Sequence, residues 1–143
     1  MKKVKVKLKD GTTVIGDEFD MGDYKKFQQI FRKWMNINID LKQFGGRNLN
    51  VPDVFSEALY CIFFNAVRTN CTAHSYDAVD KITGEGIQIK SASIKKDCTS
   101  FGPTSTWDKL IFVDLAPFGE VDGNIWFYEI DSSNIYNIVL NYK

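Results

Sequence analysis

Polar and apolar residues alternate from the start of the chain: in Lys3-Val4-Lys5-Val6-Lys7-Leu8-Lys9 the lysines share one face of an extended strand and the apolar residues the other. Asp10-Gly11 is a tight-turn signal and Thr12-Thr13-Val14-Ile15 a return strand, which predicts a hairpin over about residues 1–16. The period then lengthens. From Asp23, read as an N-cap, Phe27, Ile30, Phe31, Trp34 and Met35 recur at helical spacing and form one apolar stripe. Phe44-Gly45-Gly46-Arg47-Asn48 interrupts as a loop. Pro52 and Asp53 suit the first turn of a second helix, which is expected to bury Phe55, Leu59, Ile62, Phe63 and Ala66. Glu57 lies off that stripe, on the side of Cys61 and Phe64. Further along, Asp77 reads as the end of one strand, a Gly-rich turn follows, and a second strand carries Gln88 and Lys90. A polar loop from Lys95 to Thr106 leads to a near-continuous apolar strand from Leu110 to Leu115, and Gly123 opens another over Asn124 to Ile130. A last helix is expected to begin near Ser132 or Ser133 and to be cut short at Lys143. Helices around central strands imply an α/β sandwich built on a mixed sheet.

The chain has 143 residues and eleven Phe, enough for one domain with a substantial core. Residues 1–143 are read as that single domain, with the hairpin as an appendage. No apolar run is long enough to span a bilayer, and the basic start lacks the apolar stretch of a signal peptide, so a cytoplasmic protein is expected. Three cysteines, Cys61, Cys71 and Cys98, show neither a disulfide framework nor a zinc spacing, and His74 stands alone. Eighteen basic residues balance eighteen acidic ones, which argues against a protein that coats nucleic acid without specificity. The lysines of the first strand read as guards of a sheet edge in preference to phosphate ligands.

Strand alternation puts Gln88, Lys90 and Ala92 on one face and Ile87, Ile89 and Ser91 on the other. Asp77 on a neighbouring strand can face the same cleft as Gln88 and Lys90. A carboxylate, a second oxygen donor and a lysine meeting there can hold a hard divalent cation and activate water beside a phosphate. Asp80 competes for the ligand role. Spacing and an apolar strand expected before it favour Asp77, leaving Asp80 as a turn residue. Taken alone, Glu57 reads as an acid favoured by the helix N-terminus, and Lys90 as a lysine reaching solvent.

Together, Gly45-Gly46-Arg47-Asn48-Leu49-Asn50-Val51-Pro52, Phe55-Ser56-Glu57, Asp77, Gln88-Ile89-Lys90 and Trp107-Asp108 resemble the PD-(D/E)XK nuclease superfamily. Within it the chain is similar to small type II restriction endonucleases of the Bsp type, which cut GCNGC. The resemblance runs from about Gly45 to Ile130. It implies a restriction-endonuclease-like α/β sandwich, and a homodimer that hydrolyses phosphodiester bonds in double-stranded DNA with magnesium or manganese. Asp77 would be the central metal ligand, Gln88 would replace the second motif carboxylate, Lys90 would be the motif lysine, and Glu57 the helical carboxylate. The Ile89 carbonyl would complete the ligand set. Gln88 is the departure, because a neutral amide binds a hard cation more weakly and cannot act as a carboxylate base. A weak or inactive DNA-binding domain and a repair or recombination nuclease are therefore the alternatives. DNA contacts are expected from Arg47, from Ser91, Ser93, Lys95 and Lys96 after the motif strand, and from Thr104 and Ser105.

Overall fold

The computed structural model describes residues 1–46, 49–69, 76–94, 105–131, 133 and 135. The alternating lysine strand pairs as its pattern requires. β1 (Lys2–Lys7) and β2 (Thr13–Glu18) run antiparallel with Lys5 opposite Ile15, and Asp10 Oδ1 closes the turn by accepting from the Thr12 amide at 2.8 Å. The hairpin continues the main sheet, because β2 pairs with β3 (Ala66–Thr69) through Gly16 opposite Thr69 and Asp17 opposite Arg68. A Cβ on Gly16 would lie 2.5 Å from the Arg68 carbonyl oxygen, so this close approach needs the glycine.

Helix α1 (Met21–Gln43) is capped three residues earlier than the N-cap expected at Asp23. Asp20 is the cap, and its Oδ1 accepts from the Gly22 and Asp23 amides at 2.7 and 3.0 Å. Asp23 is instead the N3 residue of a capping box, reaching back to the Asp20 amide at 3.3 Å. The buried arc runs through Phe31, Trp34 and Asn38, with Phe27 and Met35 half-buried, and Ile30 turns outward at 48% exposure. Helix α2 (Asp53–Phe63) buries Phe55 and Leu59 as the stripe predicts, but Phe63 is 51% exposed. The helix stops there, Asn65 takes φ +53°, and Ala66 is buried as the first residue of β3, not as part of the helix. Four residues of strand directly after a helix are too few to register as a separate period.

The remaining strands are β4 (Ala78–Asp80), β5 (Gly86–Ala92), β6 (Lys109–Asp114) and β7 (Trp126–Ile130). Among the described residues seven strands lie in chain order across one sheet, antiparallel except for the parallel β5–β6 pair, which makes the sheet mixed. This α/β architecture is consistent with a restriction-endonuclease-like fold. One face, with Ala66, Ala78, Ile87, Ile89, Ile111 and Val113, packs beneath α2 and the Phe31–Trp34 stretch of α1. The other face gathers Val67 and Val79 with Val6 and Leu8 of the hairpin. Ile87, Leu110 and Val113 are at most 2% exposed, and burial of each such side chain stabilises the fold by roughly 1.5–3 kcal/mol. Among the described residues no helix is long and apolar enough to cross a membrane. Cys61 is a buried free thiol; Cys71, His74, Cys98 and most of the helix expected after Ser132 lie outside the described residues.

Candidate active site

Asp77 enters β4 and does not end a strand; the residue that ends β4 is Asp80. The Asp77 backbone is pinned on both sides, its N–H donating to the Ile87 carbonyl at 2.9 Å and its carbonyl accepting from the Thr69 amide at 2.8 Å. Its carboxylate crosses to β5, where Oδ2 accepts from Gln88 Nε2 at 2.5 Å and from the Ile89 amide at 2.7 Å. Oδ1 accepts no hydrogen bond among the described residues. Burial pushes the Asp77 carboxyl above its usual value, opposed by the Ile89 N–H and the charge of Lys90. Asp80 is the turn residue, with Oδ1 accepting from the Ile82 and Thr83 amides at 2.8 Å each.

Register settles the faces of β5. Ile87 and Ile89 belong to the core beneath α2, so Gln88 and Lys90 project to the opposite side of the sheet. Gln88 is 7% exposed and Lys90 half-buried. A carboxylate only accepts, so the Gln88 amide turns its NH₂ to Asp77 and leaves Oε1 as an oxygen donor. The N–H and C=O of one strand residue leave on the same side, which directs the Ile89 carbonyl toward Asp77 as well, beyond the last β4–β5 pair at Ala78 and Ile87. Ser91, expected at the DNA, faces α2, its hydroxyl 3.3 Å from that of Ser56.

Glu57 sits on α2 at 7% exposure and accepts a hydrogen bond from Arg68 Nε on β3. Burial pushes its carboxyl above the usual range; Arg68 opposes this, and the charges of Asp77 and Asp53 add to it. Glu57 and Asp77 thus lie within each other's field, one on the helix and one at the strand entrance. Arg68 escapes notice in the sequence because β3 does; the short Ala66-Val67-Arg68-Thr69 alternation after Asn65 is the signal that marks it.

Among the described residues no three His, Cys, Asp or Glu side chains cluster as a metal site. The oxygens that remain are the Asp77 and Glu57 carboxylates, Gln88 Oε1 and the Ile89 carbonyl. All are hard oxygens of the kind that magnesium takes more readily than the softer zinc or copper, with Glu57 on the α2 side of the sheet and Gln88 on the other. Trp107 and Asp108 are half-buried and exposed respectively, and Asp108 has a structural role. It receives the Gly86 amide at 2.8 Å on Oδ2 and Lys9 Nζ at 2.9 Å on Oδ1, clasping the start of the motif strand to the hairpin. Ser93 and Ser105 are half-buried. Arg47, Lys95, Lys96 and Thr104 lie outside the described residues.

Over residues 19–143 the chain matches the family model for the Bsp6I restriction endonuclease. The chain belongs to the Bsp6I restriction endonuclease family. It is 26% identical over 127 residues to the type II restriction enzyme Bsp6I of Bacillus sp. (strain RFL6), covering 87% of this chain and 70% of that one. No solved structure matches it. Glu57, Arg68, Asp77, Gln88 and Lys90 all lie inside the matched region, whereas the β1–β2 hairpin precedes it.

Proposed function

We propose that this restriction endonuclease cuts double-stranded DNA at a short GCNGC-like site by magnesium-dependent hydrolysis, with Asp77, Glu57, Gln88 and Lys90 as its catalytic set. The observation that carries the reading is the half-buried Asp77 carboxylate, held by Gln88 Nε2 and the Ile89 N–H on the strand that also bears Lys90. Asp77, Glu57, Gln88 Oε1 and the Ile89 carbonyl would hold the cation, with manganese as a substitute. A cation held by these residues would supply Lewis-acid chemistry, polarising a phosphate oxygen and lowering the pKa of a water. Lys90 orients that water and stabilises the charge that builds on the phosphorus oxygens. Gln88 removes one negative charge from the usual motif, and Glu57 supplies it from the helix, where Arg68 holds its orientation. Ser93 and Ser105, with Arg47, Lys95, Lys96 and Thr104, contact the DNA, and two copies cut the two strands of a symmetric site.

The test is incubation of the protein with long duplex DNA in magnesium and in chelator, beside Lys90→Ala, with the cut ends mapped. Discrete magnesium-dependent ends that vanish in the variant are expected, and the ends reveal the recognition sequence. Tight, salt-sensitive binding without cleavage in magnesium would replace this reading with an inactive DNA-binding domain.

A further inference from the structure

The two edges of the sheet are protected very differently. β1 carries Lys2, Lys3, Lys5 and Lys7 in six residues, the charged pattern that keeps an exposed edge from pairing with another chain. β7 is Trp126-Phe127-Tyr128-Glu129-Ile130, with no lysine, arginine or proline, and among the described residues it has a strand on one side only. Its outward face is aromatic. Phe112 meets Tyr128 at 6.5 Å between ring centroids, Tyr128 meets Trp126 at 6.1 Å, and Trp126 meets Phe118 at 5.5 Å. Tyr128, Trp126 and Phe118 are 41, 46 and 67% exposed. This strip lies on the face that carries Gln88 and Lys90, since Lys90, Phe112 and Tyr128 stand side by side in one cross-strand row.

From these observations we infer that β7 is the edge at which two copies of the chain join, pairing antiparallel with its own two-fold mate. A two-fold axis normal to the sheet and centred on Tyr128 sets Trp126 across from Ile130 of the partner subunit and Phe127 across from Glu129 of the partner subunit. All five residues are then paired, with aromatic rings against a β-branched side chain and no like charges opposed. Centring on Glu129 instead would oppose two carboxylates. Because antiparallel pairing keeps both copies the same way up, both Lys90 side chains face one side of a continuous sheet, five strand spacings or about 24 Å apart. One duplex lying on that side can meet both sites. The interface rests on the two-site reading above only for that spacing, not for its existence. Each half-open ring leaves about 100 Å² to cover, which with the strand edges amounts to about 1,000 Å² for the pair, the low end of a specific interface.

Sedimentation of the full chain from about 1 to 100 µM, with and without duplex DNA, tests the inference. A monomer–dimer equilibrium is expected, with Tyr128→Lys and Trp126→Lys each weakening it on the order of 100-fold. The far-edge variant Lys5→Glu should leave it unchanged. Melting curves at low concentration show whether the edge variants are folded. Independently, Tyr128→Cys should form an intermolecular disulfide on mild oxidation, since paired residues at the axis lie about 4.5–5.5 Å apart, while wild type and Lys5→Cys should not. A chain that is monomeric at 100 µM with and without DNA, or a dimer indifferent to Tyr128→Lys and uncrosslinked through Tyr128→Cys, overturns the interface. Cleavage by a monomer would leave the nuclease reading standing without this edge; a β7 dimer that cuts nothing would leave the edge standing without the nuclease.

Discussion

Replacing Arg68 by Met removes the guanidinium, keeps most of the side-chain volume, and so takes the cation away from Glu57. Glu57 is 7% exposed and the Arg68 side chain 23%, so little water can take the place of the lost cation. Breaking a buried pair from one side costs about 3–5 kcal/mol, and the partial exposure of Arg68 puts this one near 3 kcal/mol. Protonation sets a ceiling. Glu57 can take up a proton instead, at about 1.4 kcal/mol for each pH unit above the unfolded value of about 4.3, or about 4 kcal/mol at pH 7.5. The direction of the pH dependence follows. Without Arg68 the folded carboxyl is raised further, the folded variant holds its proton more tightly than the unfolded chain, and its stability falls as pH rises above about 4.3. The gap to wild type is therefore widest near pH 8 and narrows toward pH 5. Urea denaturation in chelator, followed by tryptophan fluorescence between these limits, measures it. The expected loss at pH 7.5 is about 3 kcal/mol, or about 9 °C in melting temperature at roughly 3 °C per kcal/mol for a chain of this size. Magnesium should restore part of it by supplying a cation at the same carboxylate. A deficit below about 1 kcal/mol that stays flat with pH would refute the buried pair.

Gln88→Glu puts a second carboxylate where Nε2 now donates to Asp77 at 2.5 Å, and should cost about 2–3 kcal/mol in chelator but clearly less in magnesium. Equal losses in the two media, by thermal denaturation, would mean that no cation binds there. Gly84 has φ +73°, and a Cβ on it would lie 2.7 Å from the Lys7 carbonyl oxygen, so Gly84→Ala should destabilise by about 2 kcal/mol or more and loosen the hairpin. Limited proteolysis near residues 9–12 reads that loosening, and a variant that melts and digests like wild type contradicts the close approach. Glu18 is held down to about 2 by hydrogen bonds from Lys2 and Lys81, and Glu85 to about 2 chiefly by Lys109. Their contributions are complete above the unfolded value of about 4.3 and are lost as pH falls toward 2. Urea titrations across that window should show a smaller acid loss in Glu18→Gln than in wild type, and identical slopes would rule the pairing out.

What the chain spells out locally it also folds locally. The lysine hairpin, the two helices and the β5 alternation that separates Gln88 and Lys90 from Ile87 and Ile89 are periodic in neighbouring residues, and the pattern requires nothing from distant parts of the chain. The exceptions sit at element ends. Asp20 displaced Asp23 as the cap because both aspartates can bond the first turn and only geometry chooses, and β3 disappeared into the end of α2 because four residues carry too little period. The pairing of Asp77 with Gln88 was legible from their spacing, but the place of Asp77 at the entrance of β4 was not. Sequence by itself determined the α/β class and the face on which Gln88 and Lys90 stand. Only the tertiary structure decided that Arg68 holds Glu57, that Ser91 turns to α2, and that Asp108 ties Gly86 to Lys9, which lies 99 positions from Asp108 in the chain. Those partners are chosen by strand register and helix placement, and both depend on pairings between segments far apart in sequence, which no local pattern encodes.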